Sequence, residues 1–567
     1  MILGAQKFRF ESIVTVLEDR RGWIVGALCL LWMIPGLVAR EPWKPEEAYI
    51  FGVVYQWLET GDWLVPGLAG EPFLRHPPFY YWTAAIAGKL LSPVFALHDA
   101  VRLINVLYGA ATFSLMAATV AHLQGRLQAW LGPLVLVGCI GLLQPAHQLV
   151  PENAVLLAHA LGAYGLATLG AARAPAALSL GCGIGLAFLS RGVISALPLA
   201  LSALMLPIVL PALRNRQYLR FLLLSFIVAL PWLTLWPAAL YAHDAHLFHE
   251  WWWIQQIGRF RTDLPGAGHG SPAYYLKALS WFAWPVLPFA AYALWLARGE
   301  WRSNIAVTMP AMLFATTLVL LSVNHDKREV FALPMLFPLS LLATATVPAL
   351  RRGAVNAFFW FGIAFFLFFF AALWFYFAAI DFGVPERAAR HMARMEPGYV
   401  PGVSLASMVA AAVLTAIWVL TLFNIRRSPA RPFVTWAAGA AAFWTALMLL
   451  MIGWADNAKS YRPMIASLSH ALAGHEQALL HRALGFPECI LEGLAGFGRD
   501  HPRHIVGARL QPDRDRMQDI AALHRGHLRP AGLGRHRRAH GGFDIDVARA
   551  GRAAHHGAVM RRYLLEH

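Results

Sequence analysis

Residues 41–82 read EPWKPEEAYIFGVVYQWLETGDWLVPGLAGEPFLRHPPFYYW, and they separate two long apolar runs. The run before them covers residues 22–39, and the run after them covers residues 79–97. Two adjacent carboxylates, Glu46 and Glu47, therefore lie near a membrane boundary. Ionisable groups at such positions cost free energy, so those that persist are usually close to solvent or functional. This stretch is the first place to look for a functional site.

The composition of the whole chain is that of a polytopic membrane protein. The 567 residues are 58% hydrophobic and only 14% charged. A helix needs about 20 apolar residues to cross a bilayer, and about fourteen windows come close to that length. A cytoplasmic N-terminus and an outer C-terminus require an odd number of spans, so we predict an all-α bundle of about thirteen membrane helices. One window then fails to span or two form a broken helix, and the region 128–212 contains the weakest windows.

The distribution of charge predicts which loops lie on each side of the membrane and argues against nucleic-acid binding. The net charge of +16 fits basic cytoplasmic loops and a basic tail, so we expect no nucleic-acid partner. Short basic loops between the later windows place residues 239–273, 324–330, 381–402 and everything after 454 on the outer side. The segment 381–402 is itself basic, which is an exception to the rule. The four cysteines are scattered and predict no disulfide framework.

The first loop resembles that of the bacterial membrane glycosyltransferases of the GT-C superfamily, the family that includes lipid A aminoarabinose transferases and relatives of protein O-mannosyltransferases. The likeness rests on the order of short motifs, namely WKPEE at 43–47, GDWLVP at 61–66, RHPP at 75–78 and YW at 81–82. The family's catalytic Asp falls on Glu46, and Glu47 follows it as a supporting carboxylate. Tyr49 stands where the family has Arg, and Arg75 and His76 stand where it has Glu and Lys.

The resemblance implies inverting transfer of a sugar from a polyprenyl-phosphate donor to a lipid A, glycan or protein acceptor. Such chemistry needs a carboxylate to deprotonate or orient the acceptor, and cations to neutralise the leaving phosphate. Glu46 suits the first role, with Glu47 in support. Arg75, His76, Arg259, Lys327 and Arg328 suit the second, and we predict them as donor phosphate-binding residues.

Two later outer segments carry the cationic candidates. The stretch QIGRF at 256–260, followed by PAYY at 272–275, resembles a family loop, and it contributes Arg259, Tyr274 and Tyr275. The stretch NHDKREVFALP at 324–334 resembles a family segment with a Lys-Arg pair. Basic residues are usually on the inner side, so Lys327 and Arg328 at an outer boundary favour a function.

Three further charged residues are cavity candidates with simpler alternatives. Arg102 follows Asp99, and we favour a reading in which Asp99 caps a helix and Arg102 reaches to the interface. Glu152 opens an apolar window, where it either faces the cavity or simply favours the helix dipole. Arg191 lies between two apolar runs, where it either binds a lipid phosphate or, as we favour, lies at the interface.

These patterns define the expected organisation and partners. Residues 1–21 form a cytoplasmic segment, 22–453 the membrane glycosyltransferase domain, and 454–567 a periplasmic region. We expect a monomer in the bacterial inner membrane, surrounded by membrane lipids, with its site facing the periplasm. No cofactor is required; a divalent metal has only the paired carboxylates to suggest it. A lipid-linked-sugar transporter or flippase, and a catalytically inactive relative that binds lipid, are the alternatives.

The C-terminal end has a different composition from the rest. It is rich in Arg, His, Ala, Gly and Pro and shows no apolar periodicity over about the last seventy residues. A frameshift beginning near residues 485–498 predicts such a sequence. A genuine basic disordered tail that touches anionic lipid is the alternative. The histidine spacings match no standard metal-ligand set, so we predict no metal site there.

Overall fold

The computed structural model describes residues 20–170, 173–260, 271–425 and 427–472, without the side chains of Arg20, Arg21, Arg259 and residues 468–472. The predicted cytoplasmic segment before residue 20 and the tail from about residue 485 lie outside the described residues. In the described ranges the chain is almost wholly helical, so the predicted all-α class is confirmed. The helices and strands are, in order, α1 (Arg20–Met33), α2 (Glu46–Thr60), β1 (Gly67–Leu68), β2 (Glu71–Pro72), α3 (Phe79–Leu91), α4 (Leu97–Arg102), α5 (Ile104–Gln124), α6 (Leu131–Val137), α7 (Ile140–Leu143), α8 (Glu152–Thr168), α9 (Arg173–Arg191), α10 (Val193–Val209), α11 (Arg216–His243), α12 (Ala245–His249), α13 (Tyr274–Phe282), α14 (Val286–Leu296), α15 (Ile305–Val323), α16 (Leu336–Thr346), α17 (Arg352–Asp381), α18 (Glu386–Met395), α19 (Leu405–Asn424), α20 (Arg431–Lys459) and α21 (Arg462–Leu472).

Many of these helices are long and apolar enough to cross a membrane. Among the described residues there are 8 such helices, or up to 10 if each of two bent helix pairs is one span. One bent pair, at 126–147, turns by 75°, and the other, at 274–296, turns by 107°. The first of these bends lies in the region that the sequence marks as weakest. The number of thirteen spans stays a prediction.

Helix α2 carries the two adjacent carboxylates of the first loop. Glu46 and Glu47 occupy its first turn, where negative charge interacts favourably with the helix dipole. The helix ends at Gly61, which has a φ of 71° and donates its N–H to the carbonyl of Trp57. The indole of Trp57 donates to the carbonyl of Val65 at 2.9 Å. This bond ties the chain after α2 back onto the helix.

Helices α8 and α9 form the close-packed pair beneath the first loop. A Cβ atom at Gly183 of α9 would lie 2.7 Å from the carbonyl oxygen of Ala158 in α8, so only glycine allows this approach. Small residues at helix contacts let backbones pack closely in membranes. The two helices run antiparallel, so the end of α9 at Arg191 comes beside the start of α8 at Glu152. Close packing thereby brings two distant charged residues together.

The segments that the sequence places on the outer side meet at one end of the bundle. Arg328, after α15, forms an ion pair with Glu46 of the first loop. The loop after α17 reaches the same end, because Asn457 of α20 donates to Glu396 at 3.0 Å. Asp456, the neighbour of Asn457, accepts a hydrogen bond from the backbone of the first loop. The charged loops therefore surround one end of the molecule, as their predicted common side requires.

Candidate active site

A pocket open to solvent lies at the outer end of the bundle, between the first loop, the start of α8 and the segment that leads into α16. Its volume is about 360 Å³. We call it the outer pocket, and it is lined by Glu46, Tyr49, Ile50, Phe73, Arg75, His76, Pro151, Glu152, Arg328 and Phe331. Six of these, at positions 46, 49, 75, 76, 152 and 328, are predicted site residues. The pocket thus collects residues that are separated by up to 285 positions in the sequence, from Glu46 to Phe331.

Glu46 and Arg328 form an ion pair at the wall of the outer pocket. Their side chains are 32% and 29% exposed, so both charged groups are accessible to a molecule in the pocket. Arg328 also lies 3.4 Å from the carboxylate of Asp326. The guanidinium is therefore shared between two carboxylates. A stronger anion arriving in the pocket can compete for it.

A second ion pair lies at the base of the outer pocket. Arg191 Nε is 3.3 Å from Glu152 Oε1, and both side chains are almost fully buried. The guanidinium carbon of Arg191 lies 3.1 Å from the centre of the Phe331 ring. Its Nη2 atom has no hydrogen-bond partner among the described residues. A buried guanidinium with an unused donor is costly unless an anion or another acceptor approaches it.

The predicted interfacial position of Arg191 is therefore wrong. The residue ends α9, which is where an interfacial arginine is expected, but the chain folds over it. Its side chain is only 2% exposed. Phe331, from the segment before α16, covers one face of the guanidinium. Sequence could not show this cover, because it comes from a segment 140 positions away.

Glu47, the neighbour of Glu46, points away from the outer pocket into the protein. Its carboxylate binds Arg40 through two contacts of 2.6 and 2.9 Å, and Arg102 Nε lies 3.3 Å away. It also accepts the backbone N–H groups of Trp43 and Leu149, both at 2.9 Å. Burial by itself raises the pKa of Glu47, but Arg40 and Arg102 outweigh it and lower the pKa to about 2. Glu47 is thus a saturated, permanently charged anchor of the first loop.

The first loop is also fastened to the end of α20. Asp456 accepts hydrogen bonds from the Glu41 backbone at 2.9 Å and from the Trp43 indole at 3.1 Å. Arg462 lies 3.2 Å from the Glu41 carboxylate, and the Lys459 ammonium lies 4.6 Å from the Trp43 ring. We call Arg40, Glu47, Arg102 and Asp456 together the loop clamp. Neither Arg40 nor Asp456 was predicted from the sequence. Each is a charged residue just after an apolar run, and that position could have indicated a role.

Arg102 belongs to the loop clamp and does not line the outer pocket. It is fully buried, and Nη1 donates to Asp99 Oδ1 and to the Leu37 carbonyl, both at 2.8 Å. Asp99 accepts the Ala39 N–H at 2.8 Å, and it does not cap α4. The predictions of a capping Asp99 and an interfacial Arg102 are therefore wrong. The buried Glu47 accounts for the difference, because its charge gives Arg102 a partner inside the protein.

Tyr274, Tyr275 and Lys327 do not line the outer pocket. Tyr275 is fully buried, and the Tyr274 ring stands edge-on to its ring, with the ring centres 5.1 Å apart. Lys327 donates to the carbonyl of Ser271 at 3.0 Å, which joins two outer segments. The side chain of Arg259 lies outside the described residues.

The outer segment that contains Gln256 packs against the end of α9. Gln256 Oε1 accepts the N–H of Val193 at 3.1 Å. Gly192 has a φ of 91°, and a Cβ atom there would lie 1.7 Å from Gln256 Oε1, so glycine is required. Trp251 is fully buried, whereas Trp253 is 53% exposed. Trp251 therefore helps to hold the segment against the protein, whereas Trp253 faces outward from it.

The two adjacent carboxylates do not form a joint metal site. Glu46 pairs with Arg328 in the outer pocket, and Glu47 pairs with Arg40 in the loop clamp. In the described part of the chain, no group of three or more His, Cys, Asp or Glu residues is arranged to hold a metal ion. A requirement for a divalent metal stays untested.

The fold and the outer pocket define a multi-pass α-helical membrane protein with a charged site at one end. No family model matches the chain. It is 28% identical over 357 residues to the undecaprenyl phosphate-alpha-4-amino-4-deoxy-L-arabinose arabinosyl transferase of Pectobacterium carotovorum, which covers 60% of this chain and 62% of that protein. A transferase of the same name from Sodalis glossinidius is 28% identical, covering 58% of this chain and 60% of that protein. The chain thus matches less than two thirds of the length of these relatives.

Solved structures show the same fold. ArnT from Cupriavidus metallidurans bound to undecaprenyl phosphate superposes with a TM-score of 0.61 at 17% identity, covering 79% of this chain and 81% of that one. Its apo structure gives a TM-score of 0.58. The predicted resemblance to the aminoarabinose transferases is thus confirmed by sequence and by fold, and the described residues contain the many long apolar helices expected of a multi-pass membrane protein.

Proposed function

We propose that this chain is a glycosyltransferase that moves a sugar from a polyprenyl-phosphate donor to an acceptor at the outer face of the membrane. The similar transferases are named for undecaprenyl phosphate and an aminoarabinosyl group, so a pentosyl group is the first donor sugar to test. Lipid A is the first acceptor to test, before other glycans and proteins. The observation that carries the proposal is the outer pocket, where an accessible carboxylate faces a set of guanidinium groups.

The charges around the outer pocket suit a phosphate leaving group. Arg75 and Arg328 line the pocket, and Arg191 lies buried at its base with an unused donor. Two carboxylates, Glu46 and Glu152, balance part of this positive charge. Fixed cations aimed at a position where negative charge develops lower the barrier, because they need no reorganisation during the reaction.

The proposed transfer forms one bond and breaks one bond, and the residues of the site account for each charge and proton. The acceptor oxygen attacks C1 of the sugar, the new C1–O bond forms, and the bond from C1 to the phosphate oxygen breaks. If the acceptor is a hydroxyl, its proton passes to Glu46; if it is a singly protonated phosphate, its P–O–H group donates a hydrogen bond to Glu46, an ionised phosphate oxygen attacks, and no proton moves. The electron pair of the broken bond leaves on the polyprenyl phosphate, which Arg328 and Arg191 neutralise.

The ion pair between Glu46 and Arg328 gives this site an order of events. The Arg328 guanidinium holds the Glu46 carboxylate in an ion pair. A donor phosphate that takes over Arg328 releases Glu46, so the base becomes active when the leaving group is in position. Glu47 acts through the first loop as a positioning residue, because its acceptor atoms are occupied by Arg40, Arg102 and backbone N–H groups.

The test is transfer of radiolabelled sugar from polyprenyl-phosphate donors to membrane acceptors by purified protein, comparing wild type with Glu46→Gln. We expect label to appear in wild type and to fall by at least about 100-fold in the variant, since a general base contributes roughly 10²–10⁴-fold. Glu59→Gln is the matched control, because Glu59 is exposed on the same helix. No transfer by folded wild-type protein with any donor would favour the inactive relative or the transporter.

A further inference from the structure

The outer loop between α17 and α19 contains a short, strongly amphipathic helix. This helix, α18, reads ERAARHMARM over Glu386–Met395. Ala388, Ala389 and Met392 are at least partly buried, while Arg387, Arg390, His391 and Arg394 are exposed. The only acidic residue of α18 is Glu386, which lies 3.5 Å from Arg390. One face of the helix therefore carries more positive than negative charge, because Glu386 pairs with only one of its three arginines.

The flanks of α18 expose apolar side chains in place of polar ones. Phe382 and Val384 precede the helix and are 62% and 64% exposed. Met395 ends it and Val400 follows it, and they are 54% and 81% exposed. Exposed apolar residues beside a basic helix are typical of helices that lie in the membrane interface.

The neighbours of α18 place it at the rim of the bundle. Only 28% of the membrane window of α17 and 11% of that of α19 are buried against protein. Both helices therefore present most of their apolar surface to lipid. A helix between their ends lies where the lipid headgroups begin.

The sidedness of α18 makes its charge unusual. Glu396, just after the helix, accepts a hydrogen bond from Asn457, and Tyr399 lies against Gly453 of α20. These contacts place the segment at the same end of the bundle as the outer pocket. Basic residues normally concentrate on the opposite, cytoplasmic side, so topology does not account for them.

We propose that α18 is an interfacial docking surface for anionic phospholipid headgroups in the outer leaflet of the membrane. The three arginines contact headgroup phosphates, and Phe382, Val384 and Met395 insert between the acyl chains. This inference does not depend on the transfer reaction. It uses none of the residues of the outer pocket or the loop clamp.

The test measures energy transfer from tryptophan to dansyl-phosphatidylglycerol, with dansyl-phosphatidylcholine for comparison, as each lipid is titrated into the full-length protein in a neutral detergent. The triple variant R387Q/R390Q/R394Q removes three positive charges that attract an anionic headgroup, so it should bind phosphatidylglycerol at least about tenfold more weakly. The matched control R387K/R390K/R394K keeps the charge and should bind like wild type. Phosphatidylcholine binding should be the same in all three proteins.

Further comparisons separate this surface from other sources of binding. Phe382→Ser with Val384→Ser should weaken phosphatidylglycerol binding while leaving the charge intact, because the lipid surface uses both parts. Equal phosphatidylglycerol binding by wild type and the Gln variant would overturn the proposal. Complete competition by millimolar inorganic phosphate would also overturn it, because a free anion and not a lipid surface would then be the ligand.

Discussion

Glu46 and Glu47 are neighbours in the sequence, yet they serve two regions with opposite properties. Glu46 opens onto the outer pocket, where it is 32% exposed and shares Arg328 with Asp326. Glu47 is buried in the loop clamp, where two arginines and two backbone N–H groups hold it. Consecutive residues on a helix point about 100° apart, so one residue faces the pocket and the next faces the core. Two adjacent carboxylates can therefore have different roles, one in the reaction and the other in holding the first loop in place.

The largest effect should follow from removing the anchor. Glu47→Ala leaves Arg40 and Arg102 buried without their common partner, and breaking a buried pair in this way costs about 3–5 kcal/mol. We expect a lower midpoint in thermal unfolding of the detergent-solubilised protein, or failure to accumulate. Glu59→Ala, an exposed change on the same helix, should leave the midpoint almost unchanged. Equal midpoints for both variants would contradict the anchoring role.

The next largest effect should be a loss of transfer activity from a change in the outer pocket, with little change in stability. Arg328→Ala removes a cation placed for the leaving phosphate, and loss of one such group costs roughly 10²–10³-fold in turnover. The unfolding midpoint should change little, because Arg328 is 29% exposed. Arg328→Lys keeps the charge and should recover part of the activity. If Arg328→Ala transferred sugar at the wild-type rate, the assignment of this residue would be wrong.

Lowering the pH should weaken the loop clamp, because Glu47 becomes protonated. Because the pKa of Glu47 is lowered to about 2 in the folded protein, its contribution to stability is present above its unfolded pKa of about 4.3. That contribution is lost as the pH falls from there towards 2, by at most about 1.4 kcal/mol for each pH unit. Unfolding midpoints measured between these pH values should fall for wild type. A Glu47→Gln variant should show a shallower fall, and parallel curves would show that Glu47 does not titrate in this way.

The smallest effect should come from the edge of the loop clamp. Asp456→Asn keeps an oxygen that accepts from the Trp43 indole and the Glu41 backbone, so we expect a loss of about 1 kcal/mol or less. Asp456→Ala removes the acceptor and should cost about 1–3 kcal/mol. Thermal unfolding of the two variants, side by side, measures the difference. Equal losses for the two variants would show that the charge, and not the hydrogen bonds, matters.

The sequence was sufficient to predict the fold class, the first loop and much of the outer pocket. Apolar windows indicate membrane helices directly. Short motifs such as RHPP at 75–78 occur in the same order as in the family that the first loop resembles. It could not predict the separation of Glu46 from Glu47, because the buried face of α2 depends on where Arg40 and Arg102 lie. It could not predict that Asp456 holds the first loop, since that contact spans 415 positions.

The bends were only partly visible in the sequence. The region that contains the bent pair at 126–147 is marked as weak, whereas the window at 274–297 looks continuous by composition, although Pro285 lies at the break of its bent pair. Arg191 looks interfacial until Phe331 covers it. Its deciding partner comes from elsewhere in the fold, so local periodicity and propensity carry no trace of it.

The most direct test of the division between the two carboxylates is one paired measurement. Glu46→Gln and Glu47→Gln would be compared with wild type for both the sugar-transfer rate and the thermal unfolding midpoint. We predict that Glu46→Gln loses transfer by at least about 100-fold with an unchanged midpoint, because it removes a base. Glu47→Gln should lower the midpoint, because it removes a buried charge that two arginines require. Full transfer by Glu46→Gln, or an unchanged midpoint for Glu47→Gln, would contradict the account.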